Sequence, residues 1–277
     1  MTSNPAPSGA PVTFTAGDAV LTVLPGDGCR IGGLTVGGVD IVRTTGRSLH
    51  QYGAFPMVPW VGRVRDGVFR SGGDTYQLPR TSGPNAIHGT ATDHPWYRTG
   101  PTSFGMRLTD PWPFPGVVSQ EFELSEEALR VNLMLEATGE SFPAQLGWHP
   151  WFLRQLHRPD GTPIGEPARL DFSPEFQWER GEDHLPTGKR IAPLPGPWDD
   201  CFGMPGGVDA LLTWPGALKL RITSPECDSV VVYDEQEDAL AVEPQTGPPN
   251  GINTEPRTVT PVDPLEATMT WAWTSLS

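Results

Sequence analysis

Glycine and proline set the first limit on this chain: 32 of each are spread through its 277 residues, and a helix long enough to wrap a parallel sheet has little room between them. What fits between the breakers is short alternating apolar runs, the pattern of half-buried strands. Such runs fall at 12–14, 19–24, 34–42, 68–69, 76–78, 103–108, 118–124 and 128–137, and again at 218–223, 229–233, 239–242 and 267–274. The clearest is VSQEFELSEEALRVNLMLEAT, in which two alternating runs flank the polar turn Ser125 to Glu127 as in an antiparallel hairpin. No internal repeat, low-complexity tract or Gly/Ser linker divides the sequence, and the proline-rich stretch Leu185 to Trp198 reads as a long surface loop. The expectation is a flexible leader at 1–10 followed by a single all-β domain at 11–277, with two large sheets packed face to face.

Composition narrows the function classes. With 37% hydrophobic residues the chain can bury a substantial core, roughly three quarters of its unfolded surface at this size. Its net charge of −14, from 33 acidic against 19 basic residues, repels phosphate backbones and anionic lipid. The basic residues are scattered, and only Lys189 and Lys219 are lysines, so neither a nucleic acid nor a membrane is an expected partner. The uncharged stretches are broken by Pro and Gly and fall short of the roughly 20 apolar residues of a membrane helix. The opening MTSNPAPSGAP has no basic or apolar signal-peptide region. Cys29, Cys201 and Cys227 form no CxxC pair, and a reducing cytoplasm is the expected location.

Four segments enclose a titratable residue in Gly, Pro and aromatic neighbours. PWVGRVRDGVF sets Arg63 and Arg65 between Trp60 and Phe69, and NAIHG places Asn85 and His88 before Gly89. In QLGWHPWF, His149 sits among Trp148, Pro150, Trp151 and Phe152, a combination that suits a sugar, whose C–H face stacks while its hydroxyls need polar partners. In AVEPQTGPPNGIN, Glu243 ends an apolar strand; a carboxylate facing an apolar pocket has a raised proton affinity and can serve as a general base. Each segment alone is also readable as structure: solvated arginines and a hydrogen-bonded histidine are the commoner outcomes for the first two, and an aromatic core cluster and a strand-end glutamate are as good a reading of the others. No HExxH, calcium-loop rhythm, GxSxG, GxxxxGK[ST] or strand-linked GxGxxG is present, so metal, phosphate-loop and dinucleotide chemistry find no support.

Together and in this order, the segments resemble the aldose 1-epimerase (galactose mutarotase) family. The resemblance runs from Ala54 to Asn253 through PWVGRVRDGVFRSGGDTYQL, NAIHG, DPWPFPG, LGWHPWF, PWDDCF and EPQTGPPNGIN. It implies a β-supersandwich of large antiparallel sheets. The implied activity is interconversion of the α and β anomers of a free aldohexose such as glucose or galactose, with no cofactor and no metal. By the same resemblance Glu243 is the general base on the O1 hydroxyl, His149 the general acid on the ring oxygen, and His88 a second histidine holding that oxygen. Arg63, Asp199, Asn85 and Trp151 form the sugar-binding set, with Asp200 the alternative to Asp199. Base and acid are expected on opposite sides of the sugar, with His149 near its unperturbed pKa of about 6.5. Gly62 stands where family members often carry Asn. Two alternatives accompany this reading. One is a hexose-6-phosphate 1-epimerase using Arg65, Arg80 or Arg154 for the phosphate, and the other a non-catalytic sugar-binding protein. The expected partner is the small-molecule sugar alone, bound by a monomer or homodimer.

Overall fold

In the computed structural model, which describes residues 9–275, the alternating runs pair into two large antiparallel sheets. Residues 1–8 of the expected leader lie outside the described residues. The larger sheet has 11 strands. Its central path runs Arg30–Val36, Ala54–Met57, Gly147–Leu153, Ala239–Gln245, Ser229–Tyr233, Asp199–Gly203, Phe176–Arg180. The smaller has 8 strands and is centred on Gly116–Leu124, Ala128–Ala137, Leu265–Ser275 and Leu218–Ser224. The hairpin read from VSQEFELSEEALRVNLMLEAT forms as expected, with Leu124 opposite Leu129 and the Ser125 N–H donating to Ala128 O at 2.8 Å.

Strand alternation aims one face of each sheet at the other. Leu21, Phe152, Val232 and Val242 from the larger sheet join Phe122, Leu133, Leu220 and Trp271 from the smaller in one core, and each such side chain contributes about 1.5–3 kcal/mol by leaving water. Phe152 meets Trp271 edge to face with centroids 5.0 Å apart. Trp148 Nε1 donates to Gln120 Oε1 at 3.0 Å, and Gln120 Nε2 donates to Cys29 O at 2.8 Å, so the Gln120 carboxamide and the Trp148 indole that meet between the sheets are satisfied.

Two expectations change. The stretch Leu185 to Trp198 is not all loop: Pro186–Ile191 is an edge strand, paired with Phe176–Arg180. Proline is tolerated there because it occupies the first position of an edge strand, where it removes no essential ladder bond. The run 34–42 is interrupted at Gly37 and Gly38, both with positive φ, which turn the chain between Arg30–Val36 and Val39–Asp40. Among the described residues no helix is long and apolar enough to cross a membrane.

Candidate active site

The strands Gly147–Leu153 and Ala239–Gln245 lie at the middle of the larger sheet and are buried on both faces. Trp148 and Phe152 point into the core. The intervening side chains point the other way, to a cleft of about 420 Å³, within the roughly 300–1,000 Å³ of small-molecule sites. The pairs Gly147↔Gln245 and Trp151↔Ala241 set His149 opposite Glu243. Glu243 in turn faces Val231 and, one strand further, Cys201, while Asp199 lies opposite Tyr233. The alternation therefore gathers His149, Trp151, Glu243, Gln245, Tyr233 and Asp199 on the cleft side.

A second wall comes from the segments around Arg63 and His88. Arg63 pairs with Ile87, and the His88 N–H donates to Gly62 O at 2.9 Å, which locks the two segments together. Gly62 has φ +53, and a Cβ there would lie 2.9 Å from Pro249. The position that often carries Asn in the family is thus closed to a side chain without displacing Pro249. His88 itself adopts φ +61, which turns its ring perpendicular to that of His149, with centroids 5.1 Å apart. His149 is held by stacking on Phe55 at 4.8 Å and on Trp151 at 5.1 Å. Trp151 is fixed by Arg43 over its ring at 4.1 Å and by donation from its Nε1 to His50 O at 2.9 Å.

At the floor of the cleft His149 Nε2 lies 3.1 Å from Glu243 Oε1. Only 6% of His149 and 3% of Glu243 is exposed. Burial pushes the His149 imidazole down to about 3, with the nearby His50 adding to the effect. Burial likewise drives the Glu243 carboxyl well above the usual carboxylate range, reinforced by Asp199 and opposed by a hydrogen bond from Gln245 and by Arg63. Both directions favour neutral forms, so the contact is a hydrogen bond within a pair holding one proton rather than a buried ion pair. His88 is pushed well below the ordinary histidine range, first by burial and then by His149, His50 and Arg63. Burial thus moves His149 away from the near-neutral titration expected from the sequence, because little of the ring is left for water to solvate its charge.

Glu243, His149, His88, Arg63, Asp199 and Trp151 all line the cleft, as does Asp200. Asp199 shares the cleft face with Glu243, and its Oδ2 accepts from Arg180 Nη1 at 2.7 Å. Asp200 pairs with Val232, a core residue, and lies 3.6 Å from Arg180 Nε. Asn85 is not in the cleft: it is buried beneath a turn, where its Oδ1 accepts the Asp66 N–H at 3.0 Å. Its amide oxygen is engaged in holding Asp66, whose φ is +55. Glu243 and His149, expected on opposite sides of the sugar, are instead neighbours. His50, Trp178, Arg180, Tyr233 and Gln245 also line the cleft and were not singled out by the sequence. Period-two spacing from Glu243 identifies Gln245, whereas Arg180 and His50 sit in segments with no distinguishing pattern. Among the described residues no group of three or more His, Cys, Asp or Glu side chains is placed to hold a metal ion.

The sequence profile of the aldose 1-epimerase family matches residues 12–201. YihR, an uncharacterized protein of Escherichia coli (strain K12), is 26% identical over 272 residues, covering 89% of this chain and 87% of YihR. A galactose mutarotase-like protein from Clostridium acetobutylicum superposes with a TM-score of 0.81 at 18% identity, over 96% of this chain and 95% of that one. A galactose 1-epimerase from Lactobacillus acidophilus NCFM gives 0.77 at 17% identity, over 96% and 95%. At these identities the structural likeness is one of fold, and that fold is the expected galactose mutarotase-like assembly of large antiparallel sheets.

Proposed function

The chain belongs to the aldose 1-epimerase family, and from that premise we propose that it is a mutarotase, interconverting the α and β anomers of a free aldohexose such as glucose or galactose without a cofactor. The observation that carries this reading is the Glu243–His149 contact at the floor of the cleft. Mutarotation takes a proton from O1 and gives one to the ring oxygen O5, and both atoms are bonded to C1. Two proton-transferring groups side by side therefore suit the reaction better than groups on opposite faces.

In the forward step the proton of the pair moves from Glu243 Oε1 to His149 Nε2 across their contact; Glu243, now carboxylate, accepts the O1 proton while His149, now imidazolium, protonates O5 and the C1–O5 bond breaks. The pair ends as carboxyl and neutral imidazole, the arrangement that burial favours, beside an open-chain aldehyde. Rotation about C1–C2 presents the other face of the carbonyl. On reclosure Glu243 returns its proton to O1 and His149 takes one from the C5 hydroxyl, so protons balance over the cycle. Each transfer supplies on the order of 10²- to 10⁴-fold. His88, held neutral, acts at O5 through a hydrogen bond, and Arg63 draws the Glu243 carboxyl toward its ionised form.

The cleft suits an uncharged sugar better than a sugar phosphate. None of Arg65, Arg80 or Arg154 lines it. Arg65 pairs with Asp183, Arg80 donates to Asp66 O, and Arg154 donates to Gln236 O and Asp234 O. Arg180 does line it but is matched by Asp199 and Asp200, and Arg63, the lining arginine outside any ion pair among the described residues, acts on the Glu243 carboxyl, so a phosphate dianion there would also meet Asp199, Asp200 and Glu243. Polarimetry of freshly dissolved α-glucose, α-galactose and α-glucose 6-phosphate tests the reading. The free sugars should equilibrate much faster with protein than without, and preference for the phosphate ester would count against it.

A further inference from the structure

Gln245 is fully buried, lines the cleft, and lies two residues beyond Glu243 on the same face of the same strand. Its Nε2 donates to Glu243 Oε2 at 3.1 Å. The proton of the pair lies between Glu243 Oε1 and His149 Nε2, which leaves Oε2 an acceptor, so the amide turns its NH2 to Glu243 and its carbonyl away. That carbonyl, Oε1, is buried and has no hydrogen-bond partner. Such an orphan is costly and calls for a donor. The seat of the side chain is set by Gly147 on the adjacent strand, where a Cβ would come within 3.2 Å of Gln245 Cγ.

We propose that Gln245 determines specificity in this cleft by accepting a hydrogen bond from the C2 hydroxyl of the aldose through Oε1, while its amide holds Glu243 by Oε2. The inference rests on the mutarotase reading and extends it. With Oε2 occupied by Gln245, proton traffic is confined to Oε1, the oxygen that faces His149. If Glu243 serves O1, a side chain touching the same carboxylate lies next to C1, whose other neighbours are the ring oxygen and C2. The ring oxygen carries no hydrogen to donate, and the C2 hydroxyl does. A sugar lacking that hydroxyl leaves the carbonyl of Gln245 buried and unpaired, the situation in which polar sites discriminate most strongly.

The test compares glucose with 2-deoxyglucose, each catalysed rate being referred to the spontaneous rate of the same sugar. The native protein should lose at least about tenfold in kcat/KM on 2-deoxyglucose, and Gln245→Met should bring the two sugars to within about twofold of each other. On 2-deoxyglucose, where the hydroxyl contact is already gone, Gln245→Met should still lower kcat, because Glu243 is no longer held by Oε2. A variant that keeps the native ratio overturns the proposal. If the variant fails to fold, the native comparison decides alone: catalysed exchange with equal kcat/KM for both sugars overturns it while leaving the mutarotase reading standing. Absence of catalysed exchange on any free aldose overturns that reading and this one with it.

Discussion

His149 and Glu243 meet across adjacent strands at the middle of the larger sheet, Nε2 to Oε1, at 3.1 Å. Burial moves their proton affinities in opposite directions, the imidazole down and the carboxyl up. The two groups consequently act as one unit that carries a single proton and has two arrangements. In the proposed reaction the ionised arrangement meets the closed sugar, and the neutral one, which burial favours, meets the open aldehyde.

A specific pH profile follows for kcat. A second proton on the pair requires a buried imidazolium beside a protonated carboxyl, and His149 resists this down to about 3. Loss of the only proton leaves a buried carboxylate beside a neutral imidazole, which the raised Glu243 resists until well above the usual carboxylate range. The rate should therefore hold across a plateau, with an acid limb below the ordinary histidine range and an alkaline limb above the ordinary carboxylate range. Both limbs belong to the pair rather than to either residue. An acid limb near about 6.5, the unperturbed histidine value, would show instead that His149 titrates as a free group.

The two histidines should separate by severity. His149→Asn removes the partner of Glu243 and should lower kcat by about 10²-fold or more, the scale of one lost acid–base group, with the protein still folded. His88→Asn should lose less, because a neutral His88 contributes a hydrogen bond rather than a charged proton donor. Steady-state kinetics of both variants checks this. Equal losses would leave the acid assignment shared between the two rings.

Arg63 makes no ion pair among the described residues, yet it lines the cleft beside His88. Arg63→Ala should lower kcat/KM by about tenfold or more, the range of one charged hydrogen bond. It should also raise the proton affinity of Glu243 further, since Arg63 opposes the effect of burial there. The alkaline limb of the profile should then move to higher pH. Unchanged kcat/KM would remove Arg63 from the site.

Alternation in the sequence revealed one-sided strands and missed two strands that are covered on both faces. Runs such as Ala19–Leu24 and Ala128–Ala137 alternate because one face meets the core and the other does not. Ala54–Met57 and Gly147–Leu153 are covered on both faces, so alternation disappears and their strand character was not read. Glu243 and His149 stood out because a titratable residue within an apolar or aromatic strand is chemically incongruous there. Their contact was not legible, because it depends on the register of strands about ninety residues apart in sequence. Asn85 misled for the opposite reason: it neighbours His88 along the chain, while its side chain turns to the Asp66 backbone.

The central claim is that Glu243 moves the O1 proton. Glu243→Gln keeps the shape of the side chain and a partner for Gln245 but can neither accept nor return that proton. Polarimetric exchange of α-glucose or α-galactose, measured beside a thermal melt and a sugar-binding isotherm, should show a folded protein that still binds sugar. Its kcat should be at least about 10²-fold lower than that of the native protein. A folded Glu243→Gln variant that exchanges anomers at the native rate would contradict the account.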